Sequence, residues 1–116
     1  MTDITRIPGG AKGRSRAVAC GPFVWAVAVS TDKAPDMGVQ TASALAVIDK
    51  ALVDAGSARN RIVSATIYIT DMNQKAAMDA AWTAWIPDDG WPQRACVEVG
   101  LSPGTMVEIV VLASKA

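Results

Sequence analysis

The chain has 116 residues, 51% of them apolar, with 11 basic and 11 acidic side chains and no histidine. That length fits one domain, residues 1–116, with a real core. Zero formal net charge removes electrostatic attraction to nucleic acid or an anionic membrane, and the absence of histidine excludes Ser-His-Asp and Cys-His machinery with most zinc sites.

Taken in order, residues 1–10 lack the apolar core of a signal peptide, and no apolar run reaches membrane-spanning length. The chain is therefore expected in the cytoplasm. Residues 4–7 read as a short edge strand, followed by a loop of glycines and proline. Arg14-Ser15-Arg16 leads into two apolar runs, residues 17–20 and 23–29, which flank Gly21-Pro22 as a hairpin does. Arg14 has two readings here, a solvated strand start or a cleft residue.

Asp36 suits the N-cap of a helix over residues 37–55, where Leu45, Ile48, Leu52 and Ala55 step along one face. Gly56 falls where a left-handed C-terminal cap belongs. Residues 61–70 alternate, with Val63, Ala65, Ile67 and Ile69 on one face, and form a strand. Asp71 or Asn73 then caps a second helix, in which Met78, Ala81, Trp82 and Trp85 line the core face before Pro87 ends it. The tryptophans read as packing against the sheet.

The last two runs, residues 91–99 and 106–112, read as strands joined by a short turn at residues 100–105. Arg94, Cys96 and Glu98 share one face of the first, and Glu108 interrupts an otherwise apolar second. Charge inside an apolar sheet needs a partner, because removing an ionised group from water costs several kcal/mol. One reading is a structural ion pair. The other is a cleft in which Arg94 meets an anion and Glu98 or Glu108 handles protons or water. Glu108 joins the Arg94 face only if the hairpin register allows it. Cys96 is a packing thiol or, with Arg94 beside it, a nucleophile. Cys20 and Cys96 have no metal-ligand spacing, and no disulfide is expected without a sign of secretion.

The order β-β-β-α-β-α-β-β predicts an α+β sandwich: a mixed sheet of about six strands with two helices on one face. Its other face carries small and apolar residues and is expected to meet another copy of the chain.

Gln40-Thr41, Leu52-Val53-Asp54-Ala55-Gly56, residues 63–72, Met78-Asp79-Ala80-Ala81-Trp82 and, above all, Pro92-Gln93-Arg94-Ala95-Cys96-Val97-Glu98-Val99 with Val107-Glu108-Ile109 occur together in order. This set resembles the reactive intermediate deaminase (RidA/YjgF-like) family, in a divergent sub-branch. The resemblance implies a chorismate-mutase-like fold, a homotrimer with clefts between subunits, and cofactor-independent hydrolysis of 2-imino or 2-enamino acids to 2-keto acids and ammonia. It implies that Arg94 holds the substrate carboxylate, Cys96 lines the cleft and Glu108 positions or activates water; no metal is implied. Three departures from the best-known branch stand out. Arg14 replaces an aromatic residue, Val27-Ala28-Val29 replaces a Ser-Gly-Gln-like stretch, and Asp79 replaces asparagine. The methyl of Ala28 is expected to crowd a ligand that approaches the backbone there.

The chemistry suits the residues. Arginine grips a carboxylate through two parallel hydrogen bonds, and a glutamate can move protons between water and nitrogen. Three functions stay open: a broad imine deaminase, a dedicated 2-aminomuconate-type deaminase, and a non-catalytic trimer that binds small carboxylates. Ribonuclease activity finds no support in a neutral chain without histidine.

Overall fold

The computed structural model describes residues 3–116. The elements are β1 (Ile4–Pro8), β2 (Ser15–Cys20), β3 (Phe23–Val29), α1 (Met37–Asp54), β4 (Ile62–Ile69), α2 (Lys75–Trp85), β5 (Gln93–Glu98) and β6 (Val107–Ser114). Short 3-10 turns at Arg59–Arg61 and Met72–Gln74 precede β4 and α2. The expected α+β order stands.

Local signals act where they were read. Asp36 is extended, and its carboxylate accepts from the Val39 N–H at 2.9 Å, satisfying one of the free donors of α1. At the far end Gly56 has φ +91°, and the Ser57 N–H returns to the Leu52 carbonyl at 2.8 Å. That closes the helix in a Schellman turn, which needs the left-handed geometry glycine adopts freely. Gly21 serves the β2–β3 hairpin in the same way, with φ +58°. Asp71 differs from expectation: it caps the turn at Met72–Gln74, while α2 starts from Gln74 without a side-chain cap.

The six strands lie in the order β1-β2-β3-β6-β4-β5. The expected hairpin between the last two strands is therefore corrected. β4 stands between them, paired parallel to β5 and antiparallel to β6. β6 is central, with β3 on its other side, which accounts for its apolar residues on both faces. β5 is an edge strand, which accounts for its alternation with polar residues.

Register assigns the faces. Arg94 lies opposite Ala65 and Ala65 opposite Val111; Cys96 lies opposite Ile67 and Ile67 opposite Ile109. This is the helix-covered face, where Val24, Ile67, Ile69, Val107 and Ile109 pack with Leu45, Ile48 and Leu52 of α1 and Met78 of α2. Burying each such side chain stabilises the fold by about 1.5–3 kcal/mol. Val63 leaves the expected pattern: the β4–β6 register shifts between Ile62 and Ser64, and Val63 turns outward. A bulge breaks the period-two alternation at that residue.

The opposite face carries Val18, Trp25, Val27, Val110, Tyr68 and Val97, with no element over it among the described residues. Trp25 is 43% exposed and Val97 41%.

Candidate functional site

Arg94 projects from the edge strand β5 toward α2, whose one-turn spacing stacks Lys75 and Asp79 on a single side. Its Nη2 donates to Asp79 Oδ1 at 2.6 Å, and its Nη1 approaches Met78 Sδ at 3.8 Å. The guanidinium carbon sits 5.5 Å from the Trp82 ring centre, within cation–π range. Asp79 Oδ2 accepts from Lys75 Nζ at 2.8 Å, so one carboxylate bridges two cations. Trp82 in turn meets Trp85, with ring centres 5.8 Å apart, and Arg59 lies over Trp85 at 5.6 Å. The tryptophans thus pack, as expected, and also form the floor under Arg94.

The electrostatics follow. Partial burial pushes the Asp79 carboxyl up, but hydrogen bonds from Lys75 and Arg94 and their positive charges outweigh it and hold the group below 3.8. Burial pushes the Cys96 thiol above its usual value, against the pull of Lys75 and Arg94 and with a push from Asp79. A raised thiol disfavours the thiolate that a nucleophile needs. Glu98 is engaged elsewhere: its Oε1 accepts from the Met72 N–H at 2.7 Å. That bond ties the turn before α2 to the end of β5, and so fixes the helix that carries Asp79.

A second region lies across the sheet. Pairing of β2 with β3 ends at Ala17 and Ala26, while β3 continues along β6 to Val29. Where the two strands part, a groove of about 750 Å³ opens, lined by Arg14, Arg16, Ala28, Lys33, Thr105 and Glu108 among others. Glu108 is half-buried, and it enters no ion pair among the described residues. The structural reading, in which Glu108 neutralises a buried cation, therefore has no cation to name. Ala28 lines the groove; it pairs with Ile109 on the core face and is 6% exposed.

The expected site residues thus fall into two groups. Arg94 and Cys96 sit on the helix face beside Lys75 and Asp79, and Glu98 anchors that helix. Arg14, Ala28 and Glu108 line the groove. Glu108 pairs with Tyr68 and Val29, on the face opposite Arg94, so a single chain does not bring these two together.

Sequence reasoning missed Gln40. It is fully buried, its Nε2 donates to the Ala34 and Gly104 carbonyls at 3.0 and 2.9 Å, and its Oε1 accepts from the Met106 N–H at 2.9 Å. This one amide fastens the two loops that carry Lys33 and Thr105 to α1. The signal was present: a long polar residue on the apolar face of a helix needs buried partners.

Comparison with known proteins places this geometry in context. A family model described as endoribonuclease L-PSP matches residues 15–115. A RutC family protein from Haemophilus ducreyi is 35% identical over 112 residues, 96% of each chain. The RutC family protein YoaB of Escherichia coli is 43% identical over 76 residues, 65% of this chain and 67% of its own. Among solved structures, a YjgF protein family member from Neisseria meningitidis superposes with TM-score 0.92 at 34% identity, covering 98% of this chain and 96% of its own. A member of the YjgF/YER057c/UK114 family from Mycobacterium tuberculosis gives TM-score 0.87 at 29% identity, over 97% and 99%.

Proposed function

Because the chain belongs to the RidA/YjgF-like (RutC) family, we propose that it hydrolyses 2-imino and 2-enamino acids to 2-keto acids and ammonia. The clefts lie between the subunits of a homotrimer, each formed by the Arg94 cluster of one copy and the groove of the next. The observation that carries this reading is Arg94 itself: an arginine 21% exposed, held at an open strand edge by Asp79 and floored by Trp82. A guanidinium oriented in this way, with donors to spare, is prepared for a carboxylate. The uncovered apolar sheet face and the exposed Trp91, just before β5, support burial against another copy.

The reaction follows from these placements. Arg94 fixes the substrate carboxylate, and with it the adjacent C=N carbon. Glu108 of the neighbouring copy accepts a proton from water as its oxygen adds to that carbon, giving a carbinolamine. The same carboxyl returns that proton to nitrogen, then takes the carbinol O–H proton and passes it to the amine; as the C=O bond forms the C–N bond breaks, and ammonia leaves with the 2-keto acid. Cys96 contributes shape beside the reacting carbon. Positioning alone accelerates such an addition usefully, since the imine also hydrolyses in water.

A second reading is favoured by one observation, Asp79 at 2.6 Å from Arg94. An internal carboxylate already on the guanidinium weakens the pull on an incoming one, as suits a protein that binds small carboxylates reversibly without turnover. The two readings separate on ammonia release from freshly generated 2-iminopropanoate. The deaminase reading expects the wild-type protein to exceed the spontaneous rate and Arg94→Ala to fall back to it. Arg94→Lys should recover little, because an ammonium cannot make two parallel hydrogen bonds. An Arg94→Ala protein as fast as wild type would remove Arg94 from the site.

A further inference from the structure

The chain is electrically neutral, with 11 basic and 11 acidic residues, yet the groove is not. Arg14, Arg16 and Lys33 line it against a single carboxylate, Glu108. None of the three cations enters an ion pair among the described residues. Lys33 has one neutral partner, donating from Nζ to Thr105 Oγ1 at 3.2 Å, which leaves two of its N–H groups free. In the other half of the cleft, Asp79 already bridges Lys75 and Arg94, so that cluster carries one net positive charge. A single substrate carboxylate neutralises it. The groove cations then remain uncompensated, in a space of about 750 Å³, well beyond the needs of a three-carbon acid.

Unpaired cations around a concave site raise the local concentration of anions and select those whose charge matches. We infer that the preferred substrates are dianions, 2-imino or 2-enamino dicarboxylates. Their first carboxylate sits on Arg94, and the second enters the groove and is held by Arg16 and Lys33, with Arg14 at its mouth. Glu108 sharpens the choice of orientation. It repels the distal carboxylate toward the cations and keeps its own side of the groove for water. Lys33 is placed by Gln40 and Thr105, so the distal site is fixed to the core rather than free on the surface.

This inference rests on the deaminase reading for the reaction and stands apart from it for binding, so the test has two arms. In the first, isothermal calorimetry compares pyruvate with 2-oxopentanedioate, the corresponding keto acids, on wild-type protein and on Arg16→Ala/Lys33→Ala. In the second, ammonia release is followed from 2-iminopropanoate and 2-iminopentanedioate. The wild-type protein should favour the dicarboxylate by about ten- to a hundredfold, the worth of one charge-assisted contact. The double variant should reduce that ratio to about threefold or less. Equal wild-type affinities, or a ratio unchanged in the double variant, would overturn the inference even if both imines are deaminated. A dicarboxylate preference without ammonia release would uphold the dianion site and remove the deaminase reading instead. Short single-stranded RNA that displaced the dicarboxylate at lower concentration would also overturn it, assigning the groove cations to a phosphate backbone.

Discussion

Asp79→Asn should move stability and ligand affinity in opposite directions. Asparagine keeps an acceptor for Arg94 Nη2 but loses the charge that holds Lys75 at 2.8 Å and Arg94 at 2.6 Å. The lysine and the aspartate are 41% and 36% exposed, so the lysine half of the bridge belongs with exposed ion pairs worth about 0.2–1 kcal/mol. The arginine half, with Arg94 21% exposed, adds about as much again once charge assistance is gone. The expected loss is about 1 kcal/mol, or roughly 4 °C in melting temperature for a domain of this size. Carboxylate affinity should rise, because the Arg94 cluster passes from one net positive charge to two. With a dielectric close to that of water near the surface, that increment is worth about three- to tenfold. The pH dependence follows from the depressed Asp79 carboxyl, which lies below 3.8 when folded. Its contribution is complete above that value and disappears as pH falls through the lower folded one. The wild-type advantage in melting temperature should therefore be constant through neutral and mildly acidic pH and disappear only once the pH has fallen below the usual carboxylate range. Calorimetry with pyruvate and melting curves over pH check both halves. An Asp79→Asn protein that bound pyruvate more weakly would refute the reasoning, because Asp79 would then orient Arg94 more than it competes for it.

Three further outcomes follow. Glu108→Gln should leave the melting temperature within about 2 °C, since no ion pair is broken, while ammonia release falls by about 10²–10⁴-fold; a variant that melts much earlier yet deaminates at the wild-type rate would overturn its assignment to water. Gln40→Leu should cost about 2–4 kcal/mol in urea denaturation, because it strands the Met106 N–H and two loop carbonyls inside the protein; a loss under about 1 kcal/mol would show that the loops hold without it. Light scattering should return three times the 12.1 kDa chain mass at micromolar concentration, and a stable monomer would remove the shared cleft.

What the sequence made legible was whatever a few neighbouring residues decide. Asp36 and Gly56 bracket α1 because a cap acts within one turn. Leu45, Ile48 and Leu52 mark its buried side through their spacing alone. The partners of β5 and β6 were not legible, because the residues between Gly100 and Thr105 suit a tight hairpin and a step across β4 equally well. Only strand order, fixed by contacts distant in sequence, separates the two. The unbroken apolar run of β6 was the available clue, since a strand covered on both faces belongs in the middle of a sheet. Val63 was misplaced by a bulge that alternation cannot foresee. The Arg94–Asp79 contact was missed because its halves are an edge strand and a helix, although Lys75 and Asp79 were already a readable one-turn pair.

The last prediction comes from the separation of the two halves of the site. Arg94 shares the helix-covered face with Ala65 and Val111, whereas Glu108 shares the other face with Tyr68 and Val29. A sheet with a packed helix layer on one side gives no path from one face to the other. No rotamer of either residue brings guanidinium and carboxylate to one small substrate within a chain. Two copies must therefore meet if both groups serve one reaction, and complementation tests this directly. Arg94→Ala and Glu108→Gln subunits, each inactive alone, are mixed, dissociated and reassembled. In a closed ring each cleft draws Arg94 from one copy and Glu108 from the next. With random assembly at equal concentrations, about one cleft in four receives both intact residues. The mixture should regain about a quarter of wild-type ammonia release, with the substrate KM of the wild type. If both residues act from one chain, no cleft is ever whole and the mixture stays inactive. Reassembly confirmed by mass spectrometry of tagged subunits, with no recovered activity, would refute the shared cleft and leave Glu108 without a part in the chemistry at Arg94.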